Sequence, residues 1–178
     1  FFTLLMAVLT ASVVLAQTGG KGPCAVMINV DNGGNYLYRL DGTNWGGDLV
    51  YSDFENNDAF NEKNFATPFT LVLNGGAGTG WGDYDATTTY QIKYQVYPAS
   101  QAAPTEWEII ALDTKKNVDG TGNSRYGKAD AGIDILALAT GPGLYKFSVI
   151  LVHKGTEEPA QTATFSIPGE DNLNFSVT

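Results

Sequence analysis

The sequence predicts an all-β fold: an antiparallel β-sandwich, immunoglobulin- or fibronectin-III-like or jelly-roll-like, of about eight or nine strands, behind a helical signal peptide. Three observations predict it. Apolar and polar residues alternate with a period of two in several short stretches. Glycine or proline stands between nearly all of them. No stretch after residue 16 carries a sustained helical period.

Residues 1–16 are uncharged and mostly apolar, and they end in Val14-Leu15-Ala16 before Gln17. That ending fits a signal-peptidase site. The run is shorter than the ~20 residues a membrane-crossing helix needs. It is therefore read as a cleavable export signal, which places the mature chain in the medium or at the cell surface. The stretch lacks an initiator Met and a basic n-region, so the gene is expected to start further upstream. Cys24 lies well past Ala16 and follows Pro23, which does not fit a lipid anchor at the cut. Residues 17–23 read as a flexible glycine-rich arm, and residues 24–178 as a single domain.

The first strand is expected over Cys24–Val30. Unpaired cysteine is usually buried, so Cys24 should act as a small core hydrophobe. Tyr36–Leu40 and Phe69–Leu73 follow, with Gly33-Gly34 and Gly75-Gly76 as turns. Between them, residues 53–66 hold Phe54, Phe60 and Phe65 among Asn and Asp, and read as a long loop pinned by its phenylalanines. Thr88 to Tyr97 is the clearest strand: Tyr90, Ile92, Tyr94 and Val96 share one face, and Gln91, Lys93 and Gln95 the other. Trp107–Leu112 and Ile133–Leu138 are weaker. Leu144 to His153 alternates at first and then turns apolar on both faces, as a central or covered strand does. Thr162–Ile167 and Leu173–Val177 complete the set. In Gly141-Pro142-Gly143-Leu144-Tyr145, a tyrosine just after a turn opens an alternating strand. This pattern fits a tyrosine corner, whose hydroxyl bonds back to upstream backbone, with Leu138 or Ala139 packing beneath Tyr145.

Ten basic and nineteen acidic residues give a net charge of −9. Such a surface repels nucleic-acid phosphates and keeps an exported protein soluble. No nucleic-acid partner is expected, and no membrane partner once the signal is removed. One cysteine forms no intrachain disulfide, and one His with one Cys cannot build a zinc or copper site.

Two loops carry candidate binding chemistry. Gly42-Thr43-Asn44-Trp45-Gly46-Gly47-Asp48 and Gly78-Thr79-Gly80-Trp81-Gly82-Asp83-Tyr84-Asp85 each set a tryptophan among glycines, followed by aspartate. An indole stacks on the C–H face of a sugar, and a carboxylate accepts hydrogen bonds from its hydroxyls. Trp45, Asp48, Trp81, Asp83 and Tyr84 are thus candidate carbohydrate contacts. The competing reading is structural, because loop tryptophans also fold back to cap a sheet end. Asp119 and Asn123, and separately Asp83 and Asp85, offer hard oxygens of the kind a structural calcium uses, without the closing Glu of an EF-hand. No other cofactor is expected, nor any catalytic residue. The single His153 has no Gly-x-Ser-x-Gly partner and reads as a partly exposed residue at a strand end. Glu106 and Glu108 flank Trp107 and would share one strand face. A retaining glycosidase needs two carboxyls ~5–5.5 Å apart, and the third acid of sandwich glycosidases is missing.

Leu73-Asn74-Gly75-Gly76, Tyr94-Gln95-Val96-Tyr97-Pro98, Trp107-Glu108-Ile109, Ile133-Asp134-Ile135-Leu136-Ala137, Pro142-Gly143-Leu144-Tyr145 and Ala163-Thr164-Phe165-Ser166-Ile167 occur in this order. Together they resemble an N-terminal β-sandwich module of secreted Bacteroidota proteins. The resemblance covers somewhat over half of the mature chain and carries no catalytic residues. It implies an accessory module followed by further domains of the same polypeptide. The function expected is that of a non-catalytic secreted or cell-surface module contacting glycans through its loop tryptophans. The alternatives are a structural or adhesive spacer and, last, a small sandwich-type glycoside hydrolase.

Overall fold

The structure is a computed structural model. It describes residues 20–31, 34–40, 52–54, 70–81, 90–115, 124–153 and 155–169. Phe60, Phe65 and the expected strand Leu173–Val177 lie outside the described residues, as does the leader.

The described residues form an all-β, curled sheet with no α-helix. In chain order its strands are β1 (Gly20–Val30), β2 (Asn35–Arg39), β3 (Ser52–Asp53), β4 (Leu71–Trp81), β5 (Tyr90–Pro98), β6 (Glu108–Lys115), β7 (Ser124–Lys128), β8 (Ile133–Asp134), β9 (Gly143–His153), β10 (Thr156–Glu157) and β11 (Gln161–Ile167). The path runs β10-β9-β5-β6-β7-β4-β1-β2-β3, with β11 also on β9 and β8 on β4. Every pairing is antiparallel except that of β2 with β3.

Strand β6 joins the two halves of the sheet. Glu108 to Leu112 pair with β5, while Asp113 to Lys115 pair with β7. The chain thus passes from one half to the other within a single strand. This carries it beyond the expected end at Leu112. The halves then face each other across the core. Phe54, after β3, sets its ring edge-on to Phe147 of β9 at 5.3 Å, and Tyr90 of β5 stacks flat on Tyr126 of β7 at 3.9 Å.

Strand β4 overturns the expectation of a turn at Gly75-Gly76. It runs on to Trp81 and pairs with β1 along nearly its whole length. Its glycines are needed for packing. A Cβ on Gly76 would stand 2.5 Å from Ile92 Cδ1 and from the Ala25 carbonyl oxygen, and one on Gly78 would stand 2.3 Å from the Tyr126 ring. Gly75, at φ +124°, would press on the Lys128 backbone, and the β1–β4 register shifts beside it, as at a bulge. The arm expected over 17–23 is likewise corrected from Gly20 onward. Gly20 and Lys21 pair with Trp81 and Gly80. Pro23, which has no amide hydrogen to donate, falls where the register slips between Lys21 and Cys24.

Other expectations stand. Cys24 is buried in the core. Strand β9 is central, with β5 on one side and β10 and β11 on the other. The apolar second half of β9 is closed on its outer side by an ion pair. Lys93 stands opposite Ile150, Glu157 stands opposite Val152, and their side chains meet across β9. The lysine stem thereby covers apolar surface while its charge stays wet. The tyrosine corner is present: the Tyr145 hydroxyl donates to the Gly141 carbonyl at 2.8 Å. Ala139 packs on the core, whereas Leu138 is exposed.

The expected strand Ile133–Leu138 is cut short. After β8 the Asp134 carboxylate accepts the amides of Leu136 (3.0 Å) and Ala137 (3.2 Å). A short side chain that captures the amides ahead of it curls the backbone, and residues 136–138 form a 3-10 turn.

The close approach at β4 is testable by urea unfolding. Gly78→Ala should cost about 1–3 kcal/mol or more, because the stacked Tyr126 ring cannot retreat. Tyr145→Phe should cost about 0.5–1.5 kcal/mol for its lost hydrogen bond.

Candidate functional site

Of the residues expected to touch a ligand, Trp45, Asp48, Asp83, Tyr84, Asp85, Asp119 and Asn123 lie outside the described residues. Trp81 ends β4, its backbone paired with Gly20. The glycine-rich run before it is therefore strand rather than loop as far as residue 81.

The two glutamates are separated in role. Glu106 is exposed and precedes β6. Glu108 opens β6, opposite Tyr94, and is also exposed. Neither borders the recess described below. Glu108 acts on its neighbour. Burial, and then the Glu108 carboxylate, hold the Tyr94 hydroxyl above the usual phenol range, since both disfavour the phenolate. His153, expected to be partly exposed, is buried. Its ring lies 5.1 Å from that of Tyr90, at the end of the Tyr90–Tyr126 stack. Among the described residues no three His, Cys, Asp or Glu side chains gather to hold a metal.

The recess lies on the solvent side of β1, β4, β7 and β6. Cross-strand register places Ala25, Ala77, Gly127 and Asp113 side by side, and directly opposed residues share a face. The inner face beneath carries Val26, Leu112 and Tyr126, all buried. Side chains in this row are therefore small above and large below. The result is a shallow recess of about 380 Å³ lined by Met27, Gly76, Ala77, Asp113, Gly127, Lys128, Ala129 and Asp130.

Its rim is charged. Lys128 Nζ lies 2.9 Å from an Asp130 carboxylate oxygen. The hydrogen bond to Asp130 and its charge raise the Lys128 ammonium above the ordinary lysine range, with Asp113 adding to the effect. The same hydrogen bond and the lysine's charge hold Asp130 below the ordinary aspartate range. Beside the recess, Asn74 clamps three segments. Its Oδ1 accepts the Gly132 amide at 3.2 Å, its carbonyl accepts the Ala131 amide at 3.1 Å, and its Nδ2 donates to Asn35 Oδ1 at 2.6 Å. This holds the turn after Asp130 at a fixed distance from β4.

Sequence reasoning missed this site. Its signal was the Gly-Lys-Ala-Asp run at 127–130, but β7 holds a single apolar residue, Tyr126, and shows no alternation to reveal a strand. Compared with known protein families, with characterised proteins and with solved structures, the chain matches none.

Two titrations check this electrostatic arrangement. Asp130 should titrate below the ordinary aspartate range by NMR, and Lys128→Met should return it there. A depressed carboxyl stabilises the fold above its unfolded pKa and loses that contribution as pH falls through the folded value. The pair is exposed, so the accompanying change in stability should be small. Glu108→Gln should lower the Tyr94 midpoint in an ultraviolet titration without bringing it to the free-phenol value, since burial persists.

Proposed function

We propose that the chain is an exported, non-catalytic β-sandwich module of the immunoglobulin- or fibronectin-like kind. On this reading it contacts carbohydrate in the medium or at the cell surface. The observation that carries the module reading is the Tyr145–Gly141 hydrogen bond. A tyrosine hydroxyl returned to backbone just upstream is the device by which such sandwiches fix a crossover. The facing halves of the curled sheet agree with it, as does the resemblance to N-terminal modules of secreted Bacteroidota proteins. In such a module further domains of the same polypeptide supply any catalysis.

Glycan contact is assigned to Trp45 and Trp81, with Asp48, Asp83 and Tyr84 as polar partners. The physical basis is the pairing of an indole with a nearby carboxylate in a glycine-rich frame. Any calcium at Asp83, Asp85, Asp119 or Asn123 would be structural. The reading of a structural or adhesive spacer draws on a different observation. Leu138 and Leu144 are exposed on either side of the Gly141–Gly143 turn, and β11 ends there, with Ile167 opposite Gly143. Apolar side chains at a module's end suit contact with a neighbouring module.

Affinity electrophoresis on soluble polysaccharides, with Trp45→Ala and Trp81→Ala as controls, separates the two readings. The glycan reading expects retarded migration that each substitution weakens at least tenfold. Absence of retardation on all polysaccharides, or retardation indifferent to both substitutions, leaves the spacer reading.

A further inference from the structure

The outer face of β6, β5, β9 and β11 holds a polar group that its surroundings leave unsatisfied. Gln95 of β5 is only 7% exposed, and its carboxamide oxygen has no hydrogen-bond partner among the described residues. Buried polar atoms are nearly always paired, and one left alone is costly. The nearest hydroxyls do not answer it. Ser148 stands directly opposite Gln95 on β9 but is engaged with Thr162 of β11 at 2.7 Å. The last torsion of a glutamine is broad. A turn about it presents the oxygen outward and breaks no bond to that atom. An acceptor so placed suits a hydroxyl donor from outside the chain.

Two features flank Gln95 on this face. On one side, Trp107 stands one residue before β6, where the β5–β6 register continues opposite Gln95. It is half-buried and makes no hydrogen bond or ring contact among the described residues. Ile109, two residues on and on the same face, is exposed. An indole beside an aliphatic side chain offers flat apolar surface to the C–H groups of a sugar ring. On the other side, Lys146 of β9 lies opposite Tyr97, its ammonium 5.9 Å over that ring. Lys93 and Lys128 are paired with Glu157 and Asp130. Lys146 has no carboxylate partner among the described residues. Glu108 belongs to the side of Tyr94, and Glu106 adjoins the tryptophan end of the face rather than the lysine end. In a chain of net charge −9 this face therefore combines an unopposed cation, an unpaired acceptor and an apolar platform. A sugar that carries a carboxylate meets all three at once, through its charge, its hydroxyls and its C–H face.

We infer that the outer face of β6, β5 and β9 binds saccharides containing uronic acid. Trp107 lies under a sugar ring, Gln95 accepts from a hydroxyl, and Lys146 pairs with the carboxylate. The inference rests on the carbohydrate reading and adds to it a second face and a charge preference.

Calorimetric titration of the whole chain with oligogalacturonate and with its methyl ester tests it. The two probes share rings and hydroxyls and differ in charge. The acid form should bind at least tenfold more tightly than the ester. Trp107→Ala should weaken both at an unchanged unfolding midpoint, and Lys146→Gln should remove the preference for the acid. The surface change Lys146→Gln carries the test if Trp107→Ala does not fold. Gln95→Leu should raise the unfolding midpoint, because it removes a buried acceptor without a partner, and should still weaken binding severalfold. A glutamine with a purely structural role would not do both. Equal binding of acid and ester overturns the charge assignment. Binding that survives Trp107→Ala and Lys146→Gln but not Trp45→Ala or Trp81→Ala overturns this face and leaves the glycan reading intact. Failure to bind either probe, with neutral polysaccharides still bound, does the same. No binding to any sugar overturns both.

Discussion

The structure depends on how closely β5 and β7 approach the bare inner face of β4. Gly76 leaves room for the Ile92 side chain and Gly78 for the Tyr126 ring. Tyr126 in turn stacks on Tyr90 with their rings nearly parallel. Ile92, Tyr90 and Tyr126 are all buried, and the contacts join opposite halves of the curled sheet. Each such side chain brings about 1.5–3 kcal/mol of apolar burial. Any side chain on β4 at these positions would separate the halves. The strand that looks weakest by composition therefore sets the thickness of the core.

The chain passes from one half to the other within β6, and the tyrosine corner ties the Tyr145 hydroxyl at the start of β9 to the turn before it. Between these points β9 lies at the centre of its half. Its inner side packs Phe147 on Phe54, and Tyr145 stacks on Phe165 of β11 at 5.6 Å. On its outer side Ser148 shares a 2.7 Å hydrogen bond with Thr162, and the Tyr97 hydroxyl lies 3.5 Å away. Buried hydroxyls that find partners cost little and fix orientation. The outer face of this half thus carries polar contacts, and the recess lies on the outer face of the other half.

Legibility followed the strength of the alternation. β5, β9 and β11 were readable, because Tyr90, Ile92 and Tyr94, or Ala163 and Phe165, recur at every second position. The tyrosine corner was readable because its turn and its tyrosine are local in sequence. β7 and the second half of β4 were not. Glycine carries no periodicity, and whether it ends a strand or lets another strand come close depends on residues far along the chain. Gly76 answers to Ile92, and Gly78 to Tyr126. The recess escaped notice for the same reason, since Met27, Asp113 and Lys128 come together only through the β1–β4–β7–β6 register. The tryptophan loops were legible as composition, and Trp81 alone among their proposed contacts falls within the described residues.

By itself the sequence determined the all-β class, the buried role of Cys24 and the turn-and-tyrosine device at Gly141–Tyr145. Each of these follows from local pattern: residue period, residue type, or a motif a few residues long. Only the tertiary structure decided that Gly75 and Gly76 lie within a strand, that Asp134 ends one, that His153 is buried, and that a charged recess opens over Gly127. Those outcomes are set by cross-strand neighbours, and such neighbours exist only once the sheet has curled and its register is chosen.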